Sequence, residues 1–340
     1  MNQVTYKNIE EMLNDRNAVD NGRYFLCDCP SCEYPEAFIY KNNPRQISCN
    51  RAEECGEMFL VKYENVKSLE DVKLQQMKET YPDLTDEQVE AIDWLERSLK
   101  HLNDYGHSEL LENGYRGLSK KTTNGFVVDF QNENVVNYMF HKTHSLFRKD
   151  YRDNSFMSQR NLILPIYGEE GNIERVLLRS SINPNPEPKE IQLIVNPSKE
   201  ARDFFVDVPD GAETIVITEA LFDGLSFREI DPEVGFIALT GSQKTRQVEE
   251  YLKMNRDKLS DKNILVAMDN DKAGLDAQDK LVDVIGNHGI GKDWALFDYP
   301  VCISDPNEFL RLSKDEFLRS YERSIKAFKK DKIVHLEVSL

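Results

Sequence analysis

The stretch "NILVAMDNDKAGLDA", residues 263–277, begins as an apolar, β-favouring run and stops abruptly at Asp269, with Asp271 two positions further on. The chain then passes through Ala273-Gly274 into a helical pattern. A short apolar run bounded in this way reads as a buried strand. Residues i and i+2 of an extended chain point to the same side, so Asp271 can join Asp269.

The same design recurs on either side. "ETIVIT" (213–218) is apolar, ends at Glu219, and leads into "ALFDGLSFREI", a helix that carries Asp223 one turn beyond Glu219. "VGFIALTGS" (234–242) is a second strand, "QKTRQVEEYLKMNRDKL" an amphipathic helix, and "DWALFDYP" (293–300) a fourth strand. The helix after Asp271 ends with Gly289 as its C-cap. Alternating strands and helices predict a parallel sheet with crossover helices. Ligands of such sheets gather at the carboxyl ends of the strands. Glu219, Asp223, Asp269, Asp271 and Asp305, the last in "SDPNEFL", are therefore expected at one rim. Gathered carboxylates repel, and at least one pKa rises unless a cation neutralises them. Oxygen donors of this kind suit Mg²⁺, and a pair of such ions can clamp both oxygens of a phosphoryl transfer. The plainer alternative, that these acids are helix N-caps, accounts for one or two of them.

Five of the six cysteines fall in the first sixty residues. Cys29 and Cys32 form a C-x2-C knuckle, and Cys49 and Cys55 follow after "EAFIY" and "RQISC", two strand-like pieces joined by "KNNP". A hairpin would bring the second pair back beside the first, giving a closed four-thiolate zinc site with a structural role. The spacing of Cys55 is longer than usual, and Cys27 is set aside because C-x-C is an unusual knuckle.

With 340 residues the chain has room for two or three domains. Its formal net charge of −17 argues against a surface coated for nonspecific nucleic-acid binding, although local patches decide contact. No apolar run approaches a membrane span and the N-terminus is not a secretory signal, so the expected location is cytoplasmic with no membrane partner. No P-loop pattern occurs, so a fused helicase motor is not expected.

The motifs "ITEALFDGLS" and "VAMDNDKAGLDAQ" resemble the Toprim domain shared by primases, topoisomerases, small nucleases and recombination proteins. "CPSC…EAFIY…ISCNRAEECGEMF" resembles the zinc-binding domain of primases. "LLENGYRGLSKKTTNGFVV", "SQRNLILPIYGEEGNIERVLLRSS" and "QLIVNPSKEARDFF" resemble successive parts of the primase polymerase core. In series, over about residues 24–312, these resemble bacterial DnaG-type and phage DNA primases. The resemblance implies an α/β chain: a zinc ribbon (1–64), a helical connector (65–105), a mixed α+β polymerase-core part (106–210), a Toprim parallel-sheet domain (211–304) and a C-terminal helical segment (305–340). It implies synthesis of short RNA primers from NTPs on single-stranded DNA, with structural zinc, catalytic Mg²⁺ or Mn²⁺, and a separate replicative helicase as partner. Glu219, Asp269 and Asp271 would be catalytic, with Asp223 and Asp305 completing the metal set. Arg160, Arg179 and Asn196 would contact nucleotide or template. Asn307 stands where the family's "DPD" element has its second acid. A Toprim nuclease and a non-catalytic DNA-binding replication protein are the alternatives.

Overall fold

The computed structural model describes residues 2–20, 24–40, 44–51, 54–64, 78, 81–105, 109–129, 133–147, 160–183, 185–198 and 201–337. The chain divides into two compact units, Met1–Pro82 and Asp83–Leu340. No helix among the described residues is long and apolar enough to cross a membrane.

The first unit is a six-stranded sheet. Strand β1 (Asn2–Tyr6) and helix α1 (Ile9–Asp15) precede β2 (Val19–Asp20), β3 (Tyr24–Cys27), β4 (Ala37–Tyr40), β5 (Gln46–Cys49) and β6 (Met58–Tyr63). The spatial order is β1-β6-β5-β4-β3-β2. The expected hairpin is β4–β5, with Ala37 opposite Cys49; the turn residues 41–43 lie outside the described residues. Strand β1 pairs parallel with β6 and closes the far edge. Alternation along β6 buries Phe59, Val61 and Tyr63, which pack with Met12, Ile39 and Ile47 into a small core.

The second unit opens with α2 (Asp86–Tyr105), α3 (Glu109–Glu112), α4 (Lys120–Thr123), strand β7 (Val128–Asp129) and α5 (Glu133–Thr143). An antiparallel sheet follows in the order β10-β9-β8-β7, built from β8 (Leu162–Tyr167), β9 (Ile173–Arg179) and β10 (Ile191–Ile194). The stretch "NLILPIYGEEGNIERVLLR" (161–179) supplies β8 and β9, which pair antiparallel.

The C-terminal sheet has the order β11-β13-β12-β14-β15. Its strands are β11 (Phe205–Asp207), β12 (Thr214–Thr218), β13 (Gly235–Ala238), β14 (Asn263–Ala267) and β15 (Asp293–Leu296). Pairings among β12 to β15 are parallel, as expected, while β11 adds an antiparallel edge that its three residues gave no means to foresee. Helices α6 (Leu221–Ile230), α7 (Thr245–Met254), α8 (Arg256–Leu259) and α9 (Lys272–His288) complete the crossovers. The apolar run Ile215-Val216-Ile217 is continuous because both sheet faces are covered: Val216 joins the core that contains Phe222, Phe227 and Phe317, while Ile215 and Ile217 join the core of Val248, Leu252 and Leu281. Each such side chain contributes about 1.5–3 kcal/mol by leaving water.

Two details depart from the sequence-based outline. The helix expected over residues 243–259 is broken at Asn255, whose side-chain amide donates back to the Tyr251 carbonyl at 3.0 Å. The C-terminal segment forms two helices, α10 (Pro306–Leu312) and α11 (Lys314–Glu337). Helix α11 packs on the core through Phe317, Tyr321 and Phe328, whose aromatic neighbours include Phe227 and Phe297.

Candidate active site and metal centres

Strands β12 and β14 run in register from Thr214 opposite Asn263 to Thr218 opposite Ala267. Glu219 lies one residue past that last pair on β12 and Asp269 two residues past it on β14, so both emerge at the same sheet rim. Asp271 N-caps α9, its Oδ1 accepting from the Gly274 N–H at 2.8 Å. Asp305 N-caps α10, accepting from the Glu308 N–H at 2.6 Å. The capping alternative therefore holds for these two residues through one oxygen each. It does not hold for Asp223, which is buried within α6 and accepts from the Asn307 N–H at 3.2 Å. Asn270 brings the elements together: its N–H donates to the Ser304 carbonyl at 2.7 Å and its side-chain amide to the Ile303 carbonyl at 3.1 Å, which sets Asp305 beside Asp269.

Gly274 permits this approach. A Cβ there would sit 2.1 Å from the Asp269 carbonyl oxygen, in backbone that cannot turn aside. Gly274→Ala is expected to destabilise the second unit by about 1–3 kcal/mol and to push the Asp269–Asp271 turn off the rim, measurable as a lower denaturation midpoint with an unchanged m-value.

The rim is electrostatically strained. Burial, followed by the charges of Asp223, Glu219, Asp305 and Asp271, pushes the Asp269 carboxyl up to about 8. Burial and then Asp305 push Asp223 upward as well, against Arg116 and Arg179, which pull it down. The buried Asp269 Oδ1 has no hydrogen-bond partner among the described residues. The buried Tyr299 hydroxyl likewise has no partner there, and its ionisation is opposed by burial and by the same acids. A divalent cation would satisfy the orphaned oxygen and relieve the repulsion. The carboxylates nonetheless do not close as tightly as the thiols: among the described residues, the four sulfurs are the one group of three or more ligand atoms lying within 4.8 Å of each other. A looser oxygen rim fits Mg²⁺, which keeps waters and shares its shell with substrate phosphates.

Beside the rim is a cationic cavity of about 200 Å³, lined by Tyr115, Arg116, Arg179, Ser180, Ser181 and Lys189 among others. The Arg116 and Arg179 guanidinium carbons lie 5.1 and 5.5 Å from the centre of the Phe222 ring, next in sequence to Asp223. Of the three expected nucleotide contacts, only Arg179 lines this cavity. Arg160 is buried and donates to the Pro188 carbonyl, so it supports the wall that carries Lys189. Asn196 is engaged by Glu174, to which its amide donates at 2.9 Å, and by the Ser198 N–H at 3.0 Å. An isolated arginine or asparagine in the sequence carries no signal of burial, so these protein partners of Arg160 and Asn196 are not legible there.

In the first unit Cys29, Cys32, Cys49 and Cys55 come together, with Cys29 to Cys55 and Cys32 to Cys49 each at 3.8 Å between sulfurs. A regular tetrahedron with Zn–S bonds of ~2.3 Å has edges of ~3.8 Å, so the four sulfurs fit zinc and leave no open position. A backbone N–H reaches Cys29 Sγ from Ser31 at 3.4 Å, as a knuckle requires. The backbone hydrogen bond from Tyr34 is the first cause that brings the Cys32 thiol down to about 7, toward the thiolate that a metal needs. Cys27 lies outside the group, buried in β3 opposite Ala37, where burial raises its thiol to about 11.

With this geometry in hand, the C-terminal sheet can be placed among known proteins. Residues 216–310 match the Toprim-like family. The Toprim-like domain thus takes in Glu219, Asp223, Asp269, Asp271 and Asp305. A search of the curated proteins found no match. Among solved structures, the chain is similar to the Aquifex aeolicus primase zinc-binding and RNA polymerase domains (16% identity, 93% of this chain and 83% of that one, TM-score 0.48). It is also similar to a DNA primase domain from Pseudomonas aeruginosa (14%, 69% and 78%, 0.47) and to the primase fragment of the bacteriophage T7 primase-helicase protein (16%, 62% and 71%, 0.41). At these identities and TM-scores the weight rests on the side chains around the Toprim-like rim.

Proposed function

We propose that the chain is a DNA primase, a nucleotidyltransferase that joins NTPs into short RNA primers on single-stranded DNA. The observation that carries this is the adjacency of an acidic rim and a cationic pocket, which meet at Phe222 and Asp223. Acids alone would repel a nucleotide, and cations alone would bind one without chemistry. Glu219, Asp223, Asp269, Asp271 and Asp305 would hold Mg²⁺ or Mn²⁺, which when bound supplies charge neutralisation and activation of the attacking hydroxyl. Arg116, Arg179 and Lys189 hold phosphate oxygens; the planar fork of arginine meets two at once. The position of Arg116 and Arg179 over Phe222 would orient the α-phosphate toward the rim, and Glu219 would accept the proton of the attacking 3′-hydroxyl.

In the zinc unit, Tyr24, Phe38 and Tyr40 stand edge to face on one side of the sheet, with ring centres 5.3–6.3 Å apart, beside a groove of about 310 Å³. Tyr40 is half exposed, and such a face suits stacking of single-stranded template bases. The finer division of the chain into segments 1–64, 65–105, 106–210, 211–304 and 305–340, the cytoplasmic setting and the separate helicase partner belong to the same proposal.

A Toprim nuclease would use the same acids for cutting. Incubation with single-stranded DNA, labelled NTPs and Mg²⁺ separates the two: labelled oligoribonucleotides are the expected product, and shortened DNA without them would favour the nuclease.

A further inference from the structure

Asn307 adjoins Asp223 through its backbone, and the hydrogen bonds of its side chain show what it does there. It is the second residue of α10 and is 1% exposed. Its backbone N–H donates to Asp223 Oδ1 at 3.2 Å. Its side-chain Nδ2 donates to the Arg116 carbonyl and to Ser226 Oγ, each at 3.0 Å, while its Oδ1 receives a long contact from Arg116 Nη1 at 3.4 Å.

The chemistry of these partners dictates an amide. The Ser226 hydroxyl spends its proton on the Phe222 carbonyl at 2.8 Å, so toward residue 307 it can only accept. The Arg116 carbonyl is also an acceptor. Two acceptors need two donated protons from one side chain, which an amide has and a carboxylate lacks. An aspartate here would meet two oxygens as well as the neighbouring Asp223, at a position buried from solvent.

The residue on the receiving end is conformationally unusual. Arg116 has φ of +55°, followed by Gly117 at +75°, in a two-residue turn closed by Tyr115 and Leu118. For a side-chain-bearing residue this left-handed state is unfavourable, and it persists where surroundings fix it. The amide of Asn307 grips the Arg116 carbonyl and touches its guanidinium, so the turn presents Arg116 to the cavity in one orientation.

We propose that Asn307 is a positioning residue whose side-chain amide fixes the Arg116 turn and so holds Arg116 in place in the phosphate pocket. This rests on the pocket being a phosphate site. It assigns residue 307 a role outside the metal set, because both its amide protons and its carbonyl are committed to protein partners.

The test is a double-mutant cycle on binding of inorganic tripolyphosphate, measured by calorimetry at low salt without divalent metal, with Mn²⁺ affinity measured separately. Asn307→Ala is expected to weaken tripolyphosphate about 5–10-fold while changing Mn²⁺ affinity less than about 2-fold, and Asn307→Ala added to Arg116→Ala should cost nothing further. Ser226→Ala, which removes the other partner of the same amide, should leave tripolyphosphate binding unchanged. Should Asn307→Ala not fold, Asn307→Ser, which keeps one donor, takes its place in the cycle. A folded variant at 307 with wild-type tripolyphosphate affinity, or with the same loss in the Arg116→Ala background, overturns the role given to Asn307. A wild-type protein that does not bind tripolyphosphate overturns the pocket itself, and this proposal with it.

Discussion

Asp269→Asn is expected to lower nucleotide incorporation on the order of 10²–10³-fold while making the metal-free protein more stable. Both effects have one cause. Asp269 lies just past β14 among four other acids with an orphaned oxygen, and burial together with those charges holds its carboxyl at about 8. A free aspartate titrates near ~3.9. A carboxyl whose folded pKa lies above its unfolded value stabilises the fold when protonated; that contribution is complete below about pH 4 and is lost as the pH rises through about 8. The metal-free wild type should therefore lose stability steadily between those limits, and asparagine, with no charge to desolvate, should flatten the profile. At pH 8 the variant should melt several degrees higher; a gain of 1 kcal/mol is worth roughly 2–4 °C in a domain of this size. Magnesium should raise the wild-type melting temperature and leave that of the variant in place. Melting curves against pH with and without Mg²⁺ check all three statements. A variant less stable than wild type at pH 8 would mean that Asp269 is a structural acid.

Cys49→Ser, or exhaustive chelation, is expected to strip zinc from the first unit and unfold it, while the unit Asp83–Leu340 keeps its own transition. The four sulfurs are drawn from the loop after β3, the end of β5 and the segment before β6, so one ion fastens three parts of a small sheet. Structural zinc in comparably small modules is worth about 10–16 kcal/mol at neutral pH, more than the core around Met12, Ile39 and Phe59 is expected to replace. Zinc content and two-transition calorimetry read the result. Zinc retained at the wild-type level in Cys49→Ser would remove Cys49 from the site.

What could be read in advance follows from locality. The β12, β13, β14 and β15 strands are apolar runs broken by acids or glycine, and Gly289 closes α9 with φ of +57°, as a glycine C-cap does. The cysteine pairs announce themselves by spacing. What could not be read depends on partners far away in sequence. Strand β1 is mostly polar and earns its place only by pairing with β6 more than fifty residues later. The cationic pocket brings Arg116 together with Lys189 from distant parts of the sequence, and nothing local distinguishes them from the buried Arg160. Tyr299, seen in sequence as part of an apolar strand end, places its hydroxyl among the acids. Asn307 looked like a ligand lost from a motif; its hydrogen bonds show an amide required by its neighbours.

The central claim, that the acids at the ends of β12 and β14 jointly hold a divalent cation, is tested most directly by diffraction from crystals soaked in Mn²⁺, using its anomalous signal. The account predicts a peak within bonding reach of Asp269 and at least one of Glu219, Asp223, Asp271 and Asp305, absent in Asp269→Asn. Crystals saturated with Mn²⁺ that show no peak at this rim would contradict it.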